Sequence, residues 1–164
     1  MPEVKQLFVR DVGGNYFPAG VAEVVETAKS LLGKKLAKKS RSLSSPAAVV
    51  DWLLLRLCDR SREAFCVIYL NTKCQVLNVE ELFHGTLAAC SVYPREVARR
   101  ALLENAASVI LAHNHPGGCP EPSANDVAMT KELQKTLDLI DVKVLDHFVI
   151  GAEAAISMAE RGLI

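Results

Sequence analysis

Apolar residues recur every three to four positions in four segments of the chain, which is the pattern of helices that bury one face. The first segment is VAEVVETAKSLLG, preceded by Pro18 and closed by Gly33. The second is SPAAVVDWLLLRLC, where Ser45 can cap the helix and Pro46 suits its first position. These two patterns predict an amphipathic helix followed by a second helix with an apolar face.

The third and fourth helical segments lie in the second half of the chain. YPREVARRALLENAA has a proline at a helix-starting position, and its predicted inner face consists of Val97, Ala98, Ala101 and Leu102. PSANDVAMTKELQKTLDLI carries its predicted apolar side at Leu133, Leu137 and Ile140. Both segments have polar residues between the apolar ones, so each predicts a helix that packs on one side.

Runs of β-branched and aromatic residues between these helices predict strands. FVRDVGGNYF predicts a small hairpin around its Gly-Gly turn, and AFCVIYLNTKCQVLNV predicts two strands joined at residues 71 to 73. ELFHGTLAACSV suggests a further extended piece around Gly85, SVILAHNH a buried strand, and VKVLDHFVIG with AISMA a closing pair. Strands that alternate with helices predict an α/β fold with helices packed on the faces of a sheet.

The chain of 164 residues is long enough for one domain with a substantial core. The polar link KSRSLS separates the first helix from the second. We therefore predict an N-terminal hairpin, amphipathic helix and linker over residues 1–44, and a core domain over residues 45–164.

Composition narrows the setting of the protein. No apolar run approaches the roughly 20 residues of a membrane span, and the N-terminus lacks the apolar core of a signal peptide. Five widely spaced cysteines fit neither a disulfide framework nor a CxxC zinc site, so we expect a reducing cytoplasm. The formal net charge of zero gives the chain no overall attraction for nucleic acid. The one exception is a basic cluster formed by Lys34, Lys35, Lys38, Lys39 and Arg41.

The candidate chemistry lies in HNHPGGCPEPSAND, directly after the apolar run SVILA. Side chains alternate along a strand, so His113 and His115 should share a face while Asn114 points to the other. Pro116 ends the strand, and Asp126 follows in the first turn of the next helix. Two histidines and an aspartate would leave a fourth tetrahedral position open, as in a catalytic zinc site, where the pKa of a water molecule falls to roughly 7.

Other interpretations of these residues compete with a metal site. Ser123 and Asp126 also have the spacing of a capping box, and a cap and a catalytic role are compatible. Cys119 could approach the metal as a thiolate, although the ligand set is complete without it. We expect His84 to be a surface or strand residue and His147 to be packed and hydrogen-bonded.

The spacing H-x-H, seven residues, Ser, two residues, Asp resembles the JAMM motif of MPN/JAB metallopeptidases. Over residues 45–164 the segments SREAFCVIYLN, ELFHGT, VYPREVARRALLENAASVILAHNHP and VLDHFVIG are similar to the RadC family. The usual HNHPSG of that family is HNHPGG here, with Gly117 in place of serine. The first 44 residues do not resemble the helix-hairpin-helix region of full-length RadC proteins, so the chain is similar to short, often mobile-element-borne, members.

This resemblance implies a three-layer α/β/α fold with a mixed sheet, of the cytidine-deaminase-like MPN/JAB architecture. It also implies one zinc ion per chain, held by His113, His115 and Asp126. A glutamate at the start of the first strand after the first core helix acts as general base in the family, which matches Glu63. Glu96 is the alternative base, and the remaining acids compared with them are Glu80, Glu81, Glu104 and Glu121. By the same resemblance, Ser123 would stabilise the oxyanion.

The sequence thus favours a zinc-dependent hydrolase that cleaves an amide, peptide or isopeptide bond of an unknown substrate. The alternative is a protein associated with DNA repair or mobile elements that acts on or near nucleic acid, for which only the basic cluster speaks. A zinc deaminase is excluded, because no H-x-E is paired with PCxxC.

Overall fold

The computed structural model of the protein describes residues 6–37, 46–57, 60–85 and 91–164. Within these ranges a five-stranded mixed sheet is covered by helices on both faces, and a separate two-stranded hairpin lies near the N-terminus. The α/β fold class with helices packed on a mixed sheet is therefore confirmed. The division at residue 45 stays a prediction, since residues 38–45 lie outside the described part.

The N-terminal hairpin forms as predicted, from strands β1 (Phe8–Arg10) and β2 (Tyr16–Pro18) paired antiparallel. Helix α1 follows at Val21–Ala37. The prediction that this helix ends at Gly33 is wrong, because Gly33 lies inside it. A glycine costs a helix interior only about 1 kcal/mol, which the good helix-forming residues around it can offset.

Helix α2 (Pro46–Leu57) begins at proline, which has no N–H to leave unpaired at a first helical position. The proposed cap Ser45 lies outside the described residues. The apolar face of α2 covers one face of the sheet, where Val49, Trp52, Leu53 and Leu57 are buried.

Strands β3 (Ala64–Leu70) and β4 (Val76–His84) pair antiparallel around the predicted polar turn. In that turn the Asn71 side-chain oxygen accepts from the backbone N–H groups of Lys73 and Gln75, and Cys74 has a positive φ. The separate extended piece predicted around Gly85 is wrong for the described residues. ELFH instead completes β4, because those residues pair with the start of β3.

Helices α3 (Pro94–Leu103) and α4 (Ala124–Asp138) cover the opposite face. Val97 and Ala101 are buried and Ala98 packs against them, but Leu102 is exposed, so its placement on the inner face was wrong. The i, i+4 pair Val97 and Ala101 already fills the contact with the sheet, and Leu102 lies one step around the helix. Leu133 and Leu137 are buried in α4, each stabilising the fold by roughly 1.5 to 3 kcal/mol, and Ile140 packs just beyond its end.

The sheet is completed by β5 (Ser108–Asn114), β6 (Lys143–Ile150) and β7 (Ala155–Ser157), and β6 and β7 form the predicted closing pair. The strand order is β4-β3-β5-β6-β7, with β5 and β6 parallel and the other neighbours antiparallel. Strand β5 is therefore central, and its C-terminal end lies between β3 and β6. All seven residues of β5 are buried.

Candidate metal centre

The two histidines of the HNHP segment lie at the C-terminal end of the central strand. Val109 and Leu111 face α3 and α4, so strand alternation directs His113 to the same face. His113 is buried, and His115, the first residue beyond β5, is half-buried. The Nε2 atoms of the two rings are 3.0 Å apart. The predicted convergence of the two imidazoles is thus observed.

The third donor comes from the first turn of α4. Ser123 is the N-cap: its Oγ accepts from the Asp126 backbone N–H at 3.1 Å, and the Asp126 carboxylate accepts from the Ser123 backbone N–H at 2.7 Å. The Ser123 hydroxyl also donates to Asp126 Oδ2 at 2.6 Å. The predicted capping box is therefore present, and it fixes the Asp126 carboxylate with Oδ2 already engaged twice.

Three potential metal ligands converge between the strand end and the helix start. Asp126 Oδ1 is 3.3 Å from His113 Nε2, and Asp126 Oδ2 is 3.5 Å from His115 Nε2. Ligands about 2.0 to 2.1 Å from a zinc ion at tetrahedral angles lie about 3.3 Å apart, which these separations match. Within the described residues, His113, His115 and Asp126 form the one group with this potential.

The loop after β5 fixes the ring of His115. Its Nδ1 is 2.9 Å from the carbonyl oxygen of Cys119, which can only accept, so Nδ1 carries the proton and Nε2 presents a lone pair. Gly118 has a positive φ and donates its N–H to the His115 carbonyl. Cys119 thus contributes a backbone carbonyl, while its exposed thiol lies outside the group that could bind a metal ion.

Gly151, which packs against this loop, and Gly117, which lies in it, differ in the space around them. A Cβ on Gly151 would collide with the Gly118 carbonyl oxygen and come within 2.8 Å of Pro120 Cδ, so the loop packs directly on this backbone. A Cβ on Gly117 would meet open space. The serine that stands here in the HNHPSG of RadC proteins would therefore begin without a steric clash.

Asp126 is ionised in this setting. Burial opposes its charge, but the close approach of the His113 ring and the hydrogen bonds from Ser123 outweigh that effect and hold the pKa of Asp126 well below its usual range. A charged carboxylate beside two imidazole lone pairs is a donor set suited to a divalent transition metal such as zinc.

Glu63 directly precedes β3 on the strand that neighbours β5. Phe65 pairs with His113 in the antiparallel register, and that register, if continued by two residues, would place Glu63 opposite His115. Phe65 packs on the face of the sheet covered by α3 and α4, and strand alternation extended to Glu63 would direct it to that face as well. Its backbone carbonyl accepts from Gly85 N–H at 2.8 Å.

The other five acids compared with Glu63 are each engaged by arginine. Glu96 pairs with Arg99 and Arg95, and the Arg99 hydrogen bond holds the pKa of Glu96 below its ordinary value. The remaining pairs are Glu80 with Arg100, Glu81 with Arg56 and Arg60, Glu104 with Arg100, and Glu121 with Arg161. Arg60, which could have paired with Glu63, contacts Glu81 instead.

Asn114 holds the segment that carries Glu63, a contact that sequence analysis did not foresee. Its side-chain Oδ1 accepts from the Ala64 N–H at 2.8 Å, and its Nδ2 donates to the Arg62 carbonyl at 3.2 Å. Because Asn114 is buried, this pairing ties the start of β3 to the end of β5. The one feature of the sequence that points to Asn114 is its position between the two histidines.

The two remaining histidines lie where the sequence predicts. His147 is wholly buried and hydrogen-bonded, as predicted, and His84 is exposed at the end of β4, also as predicted.

The side chains of the basic cluster (Lys34, Lys35, Lys38, Lys39 and Arg41) lie outside the described part of the chain, so the expected association with nucleic acid stays a prediction. None of the described helices is long and apolar enough to cross a membrane.

Fold and site together define an α/β protein with a group that could bind a metal ion at the end of its central strand. A family model described as RadC-like JAB domain matches residues 43–163. The chain therefore belongs to the RadC-like JAB domain family.

Curated relatives agree with this assignment. UPF0758 proteins of Thiobacillus denitrificans and Methylibium petroleiphilum are each 50% identical, over 85% and 89% of this chain. A UPF0758 protein of Cupriavidus pinatubonensis is 51% identical over 85% of it. The matched regions cover 62%, 65% and 60% of these relatives, so the chain spans about three fifths of their length.

Proposed function

We propose that this chain is a zinc-dependent hydrolase that cleaves an amide bond, in a peptide or an isopeptide. The observation that carries the proposal is the meeting of His113, His115 and Asp126 at a strand end. Glu63 directly precedes the neighbouring strand β3. Membership of a JAB family supports the same class of activity. In this proposal the three residues hold one zinc ion per chain.

The protein's own groups would divide the work as follows. A zinc ion held there would act as a Lewis acid on water and on a substrate carbonyl. Glu63 accepts a proton from the attacking water and returns it to the leaving amine. Glu63 suits this role because, unlike the other five acids, its carboxylate makes no recorded ion pair with a described residue.

Ser123 has two roles in this proposal. Its hydroxyl holds Asp126 in orientation, donating to Oδ2 at 2.6 Å. To stabilise negative charge on a carbonyl oxygen, the same single proton must turn away from Asp126 toward the substrate. The backbone N–H of Ser123 keeps its bond to Oδ2 during that rotation, so the carboxylate stays oriented.

Replacing Glu63 tests the proposed general base. In zinc-loaded protein screened against peptide and isopeptide libraries, Glu63→Gln should lower cleavage by about 10²- to 10⁴-fold while zinc content is unchanged. The matched control is Glu96→Gln, which removes a carboxylate already bound by Arg99 and should retain activity. Equal cleavage by Glu63→Gln and unaltered protein would remove Glu63 as the base, and loss only in Glu96→Gln would transfer the role.

A further inference from the structure

A third histidine lies behind the candidate metal centre. His147, on β6, is wholly buried, and its Nε2 is 2.8 Å from Nδ1 of His113. On its other side, Nδ1 of His147 is 2.6 Å from the hydroxyl oxygen of Thr130, a buried residue of α4. Neither residue belongs to the metal-binding group, so their contacts require another explanation.

The direction of these hydrogen bonds follows from Thr130. Its hydroxyl has one proton, and the Asp126 backbone carbonyl, 2.6 Å away, can only accept. The other acceptor within reach is Met158 Sδ, at 3.9 Å. Whichever acceptor takes the proton, the Thr130 oxygen is left to accept from His147. Nδ1 of His147 therefore carries the hydrogen.

The second bond is then fixed as well. His147 is wholly buried, and within the described residues its two ring nitrogens contact only the Thr130 hydroxyl and the His113 ring, so no carboxylate offsets a charge there and the ring has a single N–H. With that hydrogen on Nδ1, Nε2 of His147 must accept from Nδ1–H of His113. A neutral His113 then presents a lone pair at Nε2, the atom 3.3 Å from Asp126 Oδ1 and 3.0 Å from His115 Nε2.

We propose that Thr130 and His147 are positioning residues that hold His113 in the tautomer whose Nε2 can bind a metal ion. The chain of contacts starts at the Asp126 carbonyl, passes through Thr130, His147 and His113, and returns to the Asp126 carboxylate. It thereby links two proposed metal ligands through a buried path. This inference rests on the proposed function, in which His113 is a ligand of the zinc ion.

Zinc affinity, measured by competition with a chromogenic chelator, tests this role. Loss of such supporting hydrogen bonds commonly weakens metal binding ten- to a hundredfold, and we expect this range for His147→Leu. His147→Gln, whose carboxamide oxygen can accept near the former Nε2, should recover most of the affinity. Thr130→Val should bind zinc more weakly than Thr130→Ser, and the packing control Met158→Leu should bind like the unaltered protein.

Nitrogen NMR of the unaltered, zinc-loaded protein is the second readout, and it does not depend on any variant folding. We expect hydrogen on Nδ1 of both His113 and His147, with a 15N–15N coupling across the bond between them. A hydrogen on Nε2 of His147 would overturn the inference, as would His147→Leu and Thr130→Val that fold and bind zinc as tightly as unaltered protein.

Failure of the inference can be separated from failure of the proposed function. If the unaltered folded protein binds no zinc, the proposed function and the inference both fail. If it binds zinc while the variants and the NMR contradict the tautomer, only the inference fails. If His147→Leu does not fold, the Thr130 variants and the NMR decide the matter.

Discussion

Tyr69 carries a buried polar atom without a recorded partner among the described residues. Its side chain is fully enclosed, its hydroxyl makes no hydrogen bond, and burial raises the pKa of that hydroxyl. An unpaired buried donor costs about 1 to 3 kcal/mol. Its ring packs in the core between β3, α3 and α4.

We therefore expect Tyr69→Phe to raise the free energy of unfolding by about 1 kcal/mol, because the ring stays packed and the unpaired hydroxyl is removed. Urea unfolding measures this change, with the exposed Tyr16→Phe as control. A loss of more than about 1 kcal/mol would mean that the Tyr69 hydroxyl has a partner in solution.

Cys66 should be chemically silent while the protein is folded. It is fully buried in β3, and burial raises the pKa of its thiol to about 12, so almost no reactive thiolate forms near neutral pH. Alkylation of native protein followed by peptide mass spectrometry should label the exposed Cys74 and Cys119 but not Cys66. Labelling of Cys66 at the rate of Cys74 would contradict its burial.

At the scale of single residues, the convergence of His113 and His115 was predictable because strand alternation is local. The support from Thr130 and His147 was not, because those residues are 17 positions apart and meet only when α4 packs on β6. Leu102 was misplaced for a related reason. The spacing of Leu102 is compatible with the apolar face of α3. How wide a face of the helix becomes buried, however, depends on its packing against the sheet.

At the scale of elements, the start of α4 combines a helix cap with a proposed active-site role. Ser123→Ala removes the cap bond to the Asp126 N–H and the donation to its Oδ2. We expect a loss of about 1 kcal/mol in unfolding free energy. Cleavage should fall by about a hundredfold or more if the hydroxyl also stabilises the oxyanion.

Ser123→Thr, which can keep the cap, is the matched control for stability. Urea unfolding and the library cleavage assay separate the two roles. An Ala variant of full stability would contradict the capping box in solution, and one of full activity would leave Ser123 with the cap alone.

Element boundaries were less predictable than element types. Helix α1 passes through Gly33 because a single glycine only weakens a helix, and β4 extends through ELFH because β3 offers it pairing partners. Both errors arise where neighbouring structure outweighs local preference. The helix start at Pro46, the turn at Asn71 and the cap at Ser123 were predictable, because each depends on the residue itself and its immediate neighbours. Among the described residues, Ser123 is the one of the three that caps a helix.

At the scale of the whole molecule, alternating helices and strands were enough to predict an α/β fold. The strand order was not predictable from periodicity, because β3 pairs with β5 across a helix and a further strand. That pairing places the start of β3, which Glu63 directly precedes, beside the end of β5. The proposed metal ligands lie close together in sequence and could be proposed directly, whereas the proposed general base came from the family resemblance and its place depends on the fold.

The metal content of the folded protein tests the central claim most directly. After zinc loading and dialysis, we predict about one zinc ion per chain by elemental mass spectrometry. His113→Ala should lose that ion while its circular dichroism stays that of a folded protein, since one donor of the set is removed. Well-folded unaltered protein that retains no divalent ion would contradict the account.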